Sequence, residues 1–284
     1  MNVQTLIDVR GLEELSRSGD VLIVDCRFSL ADPEGGALDY AQGHIPGAVH
    51  ADLNRDLSDL SKTGLGRHPL PEASAFSALL GSWGWQPGMQ VVAYDAANGA
   101  LAAARLWWLL RLVGERNVAV LDGGLQAWTD AGFALTRDPA HRSATQVTVQ
   151  FDSAATLDST ALEQAMRNPQ TLLIDARAAQ RYRGEVEPID AIAGHVPGAR
   201  NRPFSENIGV DGRFKAAQKL RAEFEAVLGP HGAADVVHMC GSGVTACHNL
   251  LAMEHAGLHG SRIFAPSWSG WIADSKRPVS RSTQ

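Results

Sequence analysis

Cys240 opens the segment Cys240-Gly241-Ser242-Gly243-Val244-Thr245, and its surroundings say what such a cysteine can do. Upstream, Val236-Val237-His238-Met239 is a short apolar run suited to a buried strand. Downstream, Ala246, Leu250, Leu251 and Met253 mark an apolar helix. Gly241 and Gly243 let the intervening backbone curl tightly and take positive φ values. A tight turn that runs into a helix N-terminus aims several backbone N–H groups at one point. The partial positive charge there favours thiolate over thiol. The same donors, from Gly241, Ser242, Gly243, Val244 and Thr245, suit the anionic outer sulfur of a persulfide. The segment fits covalent sulfur relay through Cys240.

Cys26 and Cys247, the two remaining cysteines, read as inert packing residues. An odd, sparse set of three argues against a disulfide framework and against a four-ligand zinc site. Cys240, Cys247 and His248 lack a second ligand pair nearby, so neither a metal nor a cofactor is expected. With 45% hydrophobic and 20% charged residues, the 284-residue chain has a globular composition. A formal charge of −6 gives no general attraction to nucleic acid or to an anionic membrane, so neither is an expected partner. Any anionic substrate must be held by local charge. No basic start followed by an apolar run occupies the first twenty residues, and the apolar stretch Leu106 to Leu112 is short and interrupted by Arg111. The expectation is a cytoplasmic protein.

The elements that must position Cys240 recur along the chain. Val21-Leu22-Ile23-Val24-Asp25-Cys26-Arg27 returns as Thr171-Leu172-Leu173-Ile174-Asp175-Ala176-Arg177, with the two aspartates 150 positions apart. Gly43-His44-Ile45-Pro46-Gly47-Ala48 returns as Gly194-His195-Val196-Pro197-Gly198-Ala199, and Val91-Val92-Ala93-Tyr94-Asp95 matches Val236 to Cys240. Gly123 to Trp128 loosely matches Pro266 to Trp271. A duplicated domain follows. Short β-branched runs alternate with helical patterns in each copy, which predicts an α/β fold with a mainly parallel sheet flanked by helices. Leu101 to Leu112 reads as a buried helix, and Thr160-Ala161-Leu162-Glu163 as a capping box. The expected boundaries are a first domain over 1–138, a linker over 139–153 and a second domain over 154–284.

The duplicated halves, the two Gly-His-Ile/Val-Pro-Gly-Ala segments and the Cys240 loop together resemble the tandem-domain rhodanese/3-mercaptopyruvate sulfurtransferase family. The resemblance implies two tandem rhodanese-like domains, with catalysis in the second and an aspartate, here Asp95, in the cysteine's place in the first. An acidic group at that loop mouth is expected to repel an anionic substrate and keep the first domain silent. The loop resembles the mercaptopyruvate branch, because Gly241 and Ser242 stand where thiosulfate-preferring rhodaneses carry basic residues. It further implies that His68, in His68-Pro69-Leu70-Pro71, lies near Ser242 as base or proton acceptor. Asp52 or Asp56 would be its acidic partner. Within Arg181-Tyr182-Arg183-Gly184, Arg183 is the expected carboxylate clamp and Arg181 a solvated helix-face charge. A second arginine that many mercaptopyruvate enzymes carry after Glu-Pro is replaced by Ile189.

The implied reaction takes a sulfane sulfur from 3-mercaptopyruvate to Cys240, then to cyanide, a small thiol or thioredoxin. The alternatives are thiosulfate as donor and a non-catalytic persulfide-carrier or binding module. A cysteine phosphatase would need an arginine six positions after the cysteine, where this chain has Ala246. Asp25, Arg27, His44, Asp175, Arg177 and His195 occur in both halves, including the half expected to be silent, and therefore read as structural. Trp107, Trp108, Trp128, Trp268 and Trp271 read as core or interface packing.

Overall fold

The computed structural model describes residues 3–19 and 21–282. They form two compact units. One holds described residues within 1–59, 70–152 and 210–214, and the other those within 60–69, 153–209 and 215–284. In the first unit β1 (Leu6–Ile7), β2 (Val21–Asp25), β3 (Val49–His50), β4 (Gln90–Tyr94) and β5 (Val118–Leu121) form a sheet ordered β1-β5-β4-β2-β3. Helices α1 (Val9–Ser18), α2 (Gly35–Gln42), α3 (Ala73–Ser82), α4 (Ala103–Leu112) and α5 (Gly124–Asp130) accompany it. In the second unit β6 (Thr156–Leu157), β7 (Leu172–Asp175), β8 (Arg200–Asn201), β9 (Val236–Met239) and β10 (Arg262–Phe264) repeat the order as β6-β10-β9-β7-β8. Its helices are α6 (Ser159–Ala165), α7 (Ala179–Arg183), α8 (Ala217–Leu228), α9 (Thr245–His255) and α10 (Ser267–Trp271). Every strand pair is parallel, as near-continuous apolar strands demand.

The register repeats as well. Asp25 pairs with Tyr94 in one sheet and Asp175 with Met239 in the other. β4 and β9 are the middle strands, so the residues that follow them, Asp95 and Cys240, leave the carboxyl ends of their sheets. Ligands of open α/β sheets bind in that region.

Residues shared by both halves brace these strand ends. Arg27 grips Asp25 and donates to the Gly43 carbonyl at 2.7 Å; Arg177 does the same with Asp175 and Gly194, also at 2.7 Å. His44 stacks on Tyr40 and His195 on Tyr182, each with ring centroids 3.9 Å apart. Trp107 and Trp268 are fully buried, and Trp268 donates from Nε1 to the Ile192 carbonyl at 2.8 Å.

Several local expectations change. The α6 N-cap is Asp158, whose carboxylate accepts from the Ala161 amide, because Asp158 rather than Thr160 has the extended backbone a cap needs. Helix α4 begins at Ala103 instead of Leu101, since the preceding residues turn around Asp95. Residues 139–152 of the expected linker are pinned to the first unit: Thr145 bonds Gly81 and Trp85, Val149 donates to Ser77, and Asp152 donates to Leu112. The boundary between halves is also not a single cut in sequence. Residues 60–69 belong to the second unit and 210–214 to the first. No helix among the described residues is long and apolar enough to cross a membrane.

Candidate active site

The turn after β9 is held from beneath by the start of α10. The Cys240 amide donates to Ser267 Oγ at 3.1 Å, and that hydroxyl donates to the Phe264 carbonyl at 3.0 Å. The Trp268 and Ser269 amides donate to the Cys240 and Gly241 carbonyls, both at 3.0 Å. Ser267 takes φ +53 to make these contacts, an uncommon value for a non-glycine residue. The Gly243 amide donates to Cys240 Sγ at 3.2 Å, and α9 begins two residues later. Cys240 is 2% exposed.

The two glycines do different work. Gly243 sits at φ +78, and a Cβ there would stand 2.3 Å from the Ala265 carbonyl oxygen. Gly241 needs no positive φ, contrary to the expectation for both. A Cβ on Gly241 would stand 2.9 Å from Arg67 Nη2 and 3.6 Å from both terminal nitrogens of Arg181. Its missing side chain makes room for the Arg67 guanidinium, while Arg181 stands at ordinary contact distance from the same point.

The first unit shows how such a turn treats an anion. The Asp95 carboxylate is fully buried; Oδ1 accepts from Ala97 and Gly99 at 2.8 Å, and Oδ2 from Leu101, Ala102 and Ala103 at 3.2 Å. Burial pushes its carboxyl up, and these amides work in the opposite direction. This corrects the expectation of an acid repelling substrate at an open mouth. The carboxylate occupies the donors itself, which leaves them nothing to offer a ligand.

His68 lies in the second unit with Ser242, Nδ1 to Oγ 2.8 Å, and both are buried. Its neighbour Arg67 donates from the backbone to Ser269 Oγ at 3.0 Å and ion-pairs with Asp190. Asp190 also takes Arg181 Nη2 at 3.0 Å; Arg181 in turn holds Glu187 at 2.7 Å, and Glu187 meets Arg177 at 3.5 Å. Burial opposes ionisation of Glu187, but bonds from Arg181 and from the Asp190 and Ile189 amides outweigh it and lower its pKa.

The two arginines of α7 face differently from the expectation. Arg183, the expected clamp, turns to Glu185 at 2.6 Å and remains partly exposed, whereas Arg181 turns inward beside Gly241. In the short helix α7 the two side chains are two residues apart and cannot share a face. Asp52 and Asp56, the expected acidic partners of His68, lie in the first unit. Among the described residues, Asp52 caps the Asn54 and Arg55 amides, while Asp56 accepts from the Asp52 amide and from Arg55. Sequence reasoning missed Arg67 and Asp190. The only signal was adjacency, of Arg67 to His68 and of Asp190 to Glu187-Pro188-Ile189.

The Rhodanese-like domain family matches this chain twice, over residues 4–131 and 158–274. A Pseudomonas aeruginosa protein named a probable 3-mercaptopyruvate sulfurtransferase is 46% identical, over 98% of this chain and 99% of that one. A Mycobacterium tuberculosis protein provisionally named a thiosulfate sulfurtransferase is 41% identical, over 99% of this chain and 98% of its own. The structure of the Leishmania major 3-mercaptopyruvate sulfurtransferase superposes with a TM-score of 0.82 at 31% identity, covering 94% of this chain and 73% of that one. With two matched domains and relatives aligned along nearly its whole length, the chain belongs to the rhodanese-like sulfurtransferase family.

Proposed function

We propose that the chain moves a sulfane sulfur from 3-mercaptopyruvate through a Cys240 persulfide to a thiophilic acceptor. The observation that carries this reading is the 2.8 Å contact of His68 with Ser242, two residues along the turn from Cys240. Cys240 Sγ attacks the donor's thiol sulfur, the sulfur–carbon bond breaks, and its electron pair leaves on carbon as the enolate of pyruvate. The proton of the donor thiol passes through Ser242 and His68 to that carbon, which gives pyruvate and a Cys240 persulfide anion. Arg181 holds the donor carboxylate. The Gly243 amide, already directed at Sγ, stabilises the sulfur anion as an oxyanion hole would. Asp95 supports this: its oxygens stand two bonds beyond Cβ, as a persulfide's outer sulfur does, and five amides of the equivalent turn hold them. Cyanide, a small thiol or thioredoxin then takes the outer sulfur, and the cytoplasm is the proposed setting because reduced thiols abound there.

Thiosulfate as donor is the second reading, favoured by the two guanidiniums beside Gly241 and by the name of the mycobacterial relative. Intact mass after donor treatment and kcat/KM for each donor test both. A gain of one sulfur, lost in Cys240→Ser, with mercaptopyruvate preferred, is the expected result. Preference for thiosulfate overturns the donor assignment. No gain from either donor leaves only a binding module.

A further inference from the structure

Asp190 is shared. Its carboxylate takes both Arg67 and Arg181, and these two guanidiniums are the groups that crowd Gly241 at the turn of Cys240. Resting on the persulfide reading above, we propose that Arg67 and Asp190 set the donor's charge: Arg67 is a second guanidinium for the donor anion, and Asp190 is the counter-ion it displaces, so that a monoanion is accepted over a dianion.

The first argument is the geometry of Arg67. Its backbone is tied to Ser269 in α10, the element that also holds the Gly241 carbonyl, so the side chain is delivered to the turn by a fixed strut. Its Nε is buried and, among the described residues, has no acceptor. Asp190 engages only the guanidinium's Nη1, which leaves a donor directed elsewhere. Nη2 is the atom that stands beside Gly241, where a carboxylate or sulfonate-like oxygen arriving at the turn would meet it.

The second argument is charge. From Arg67 through Asp190, Arg181 and Glu187 to Arg177 and Asp175, the ion-pair chain contains three guanidiniums and three carboxylates. The guanidiniums at the turn are therefore already balanced. A displaced Asp190 stays attached to the chain, so a donor carboxylate leaves this network one charge negative, whereas thiosulfate leaves it two charges negative. The charges are far enough from water for this to matter: the Asp190 side chain is 4% exposed, Arg181 17% and Arg67 28%. Asp190 is also the member of the chain best suited to yield, since burial pushes its carboxyl up despite Arg67 and Arg181.

The test is the ratio of kcat/KM for thiosulfate to that for mercaptopyruvate in the full chain, in Asp190→Asn, Arg67→Gln and the double variant. Asp190→Asn should move the ratio about tenfold toward thiosulfate, and Arg67→Gln should move it the other way. The double variant should return to within about twofold of the wild type. A merely structural role for either residue would lower both donors together and leave the ratio fixed, and that result overturns the inference. Should Asp190→Asn fail to fold, Arg67→Gln decides alone by the same ratio. Wild-type protein that gains no sulfur in the mass experiment overturns the function and this inference together. Wild type that loads while the ratios stay fixed overturns this inference only.

Discussion

His68 Nδ1 and Ser242 Oγ stand 2.8 Å apart although 174 positions separate them in the chain. The contact exists because residues 60–69 leave the first half and join the second unit. Mercaptopyruvate brings a thiol proton that must be carried to the carbon on which the electron pair departs; thiosulfate brings none. His68→Ala should therefore lower mercaptopyruvate turnover by about a hundredfold and thiosulfate turnover far less. Steady-state kinetics with both donors checks this, and equal losses would mean that His68 only supports the turn.

Arg181 and Arg183 offer a sharper contrast, because they are two residues apart on one short helix and face different partners. Arg181→Ala should raise KM for mercaptopyruvate by roughly ten- to a hundredfold, the loss of a bidentate carboxylate contact. Arg183→Ala should change it less than about twofold. A larger effect from Arg183 would reverse the assignment.

Gly243→Ala and Gly241→Ala should also separate. At residue 243 both the positive φ and the Ala265 carbonyl resist a side chain, so the turn must distort, at about 1–3 kcal/mol of stability and with most of the activity lost. At residue 241 the obstacle is the far end of Arg67, which can swing away. That variant should keep its melting temperature and lose donor affinity. Differential scanning calorimetry beside donor kinetics distinguishes the two.

His238 should make folding sensitive to acid. Among the described residues neither ring nitrogen has a partner, the site is fully buried, and burial drives its pKa down to about 3. The unfolded chain, with a pKa near 6.5, binds the proton that the folded chain refuses. Stability is full above about pH 6.5 and falls as pH drops toward 3, by up to about 1.4 kcal/mol per unit. His238→Val should flatten that slope in urea unfolding between pH 6.5 and 4. An unchanged slope would assign the acid sensitivity to other groups.

Much of this protein is legible in one dimension. The duplication, the parallel sheets and the turn after β9 follow from local pattern, because a buried strand, a glycine and a helix start each depend on neighbours close in sequence. The turn's two glycines could be read, but not their separate reasons, since one answers to the Ala265 carbonyl and the other to arginines from distant segments.

What only the folded chain decided is which charges meet. Sequence spacing could not choose between Arg181 and Arg183, because a five-residue helix leaves its facing to the packing around it. Nor could it bring Arg67 to Gly241. Hydrophobic periodicity fixes where strands and helices form; the long-range closure of loops fixes which polar groups come within bonding distance, and that closure has no local signature.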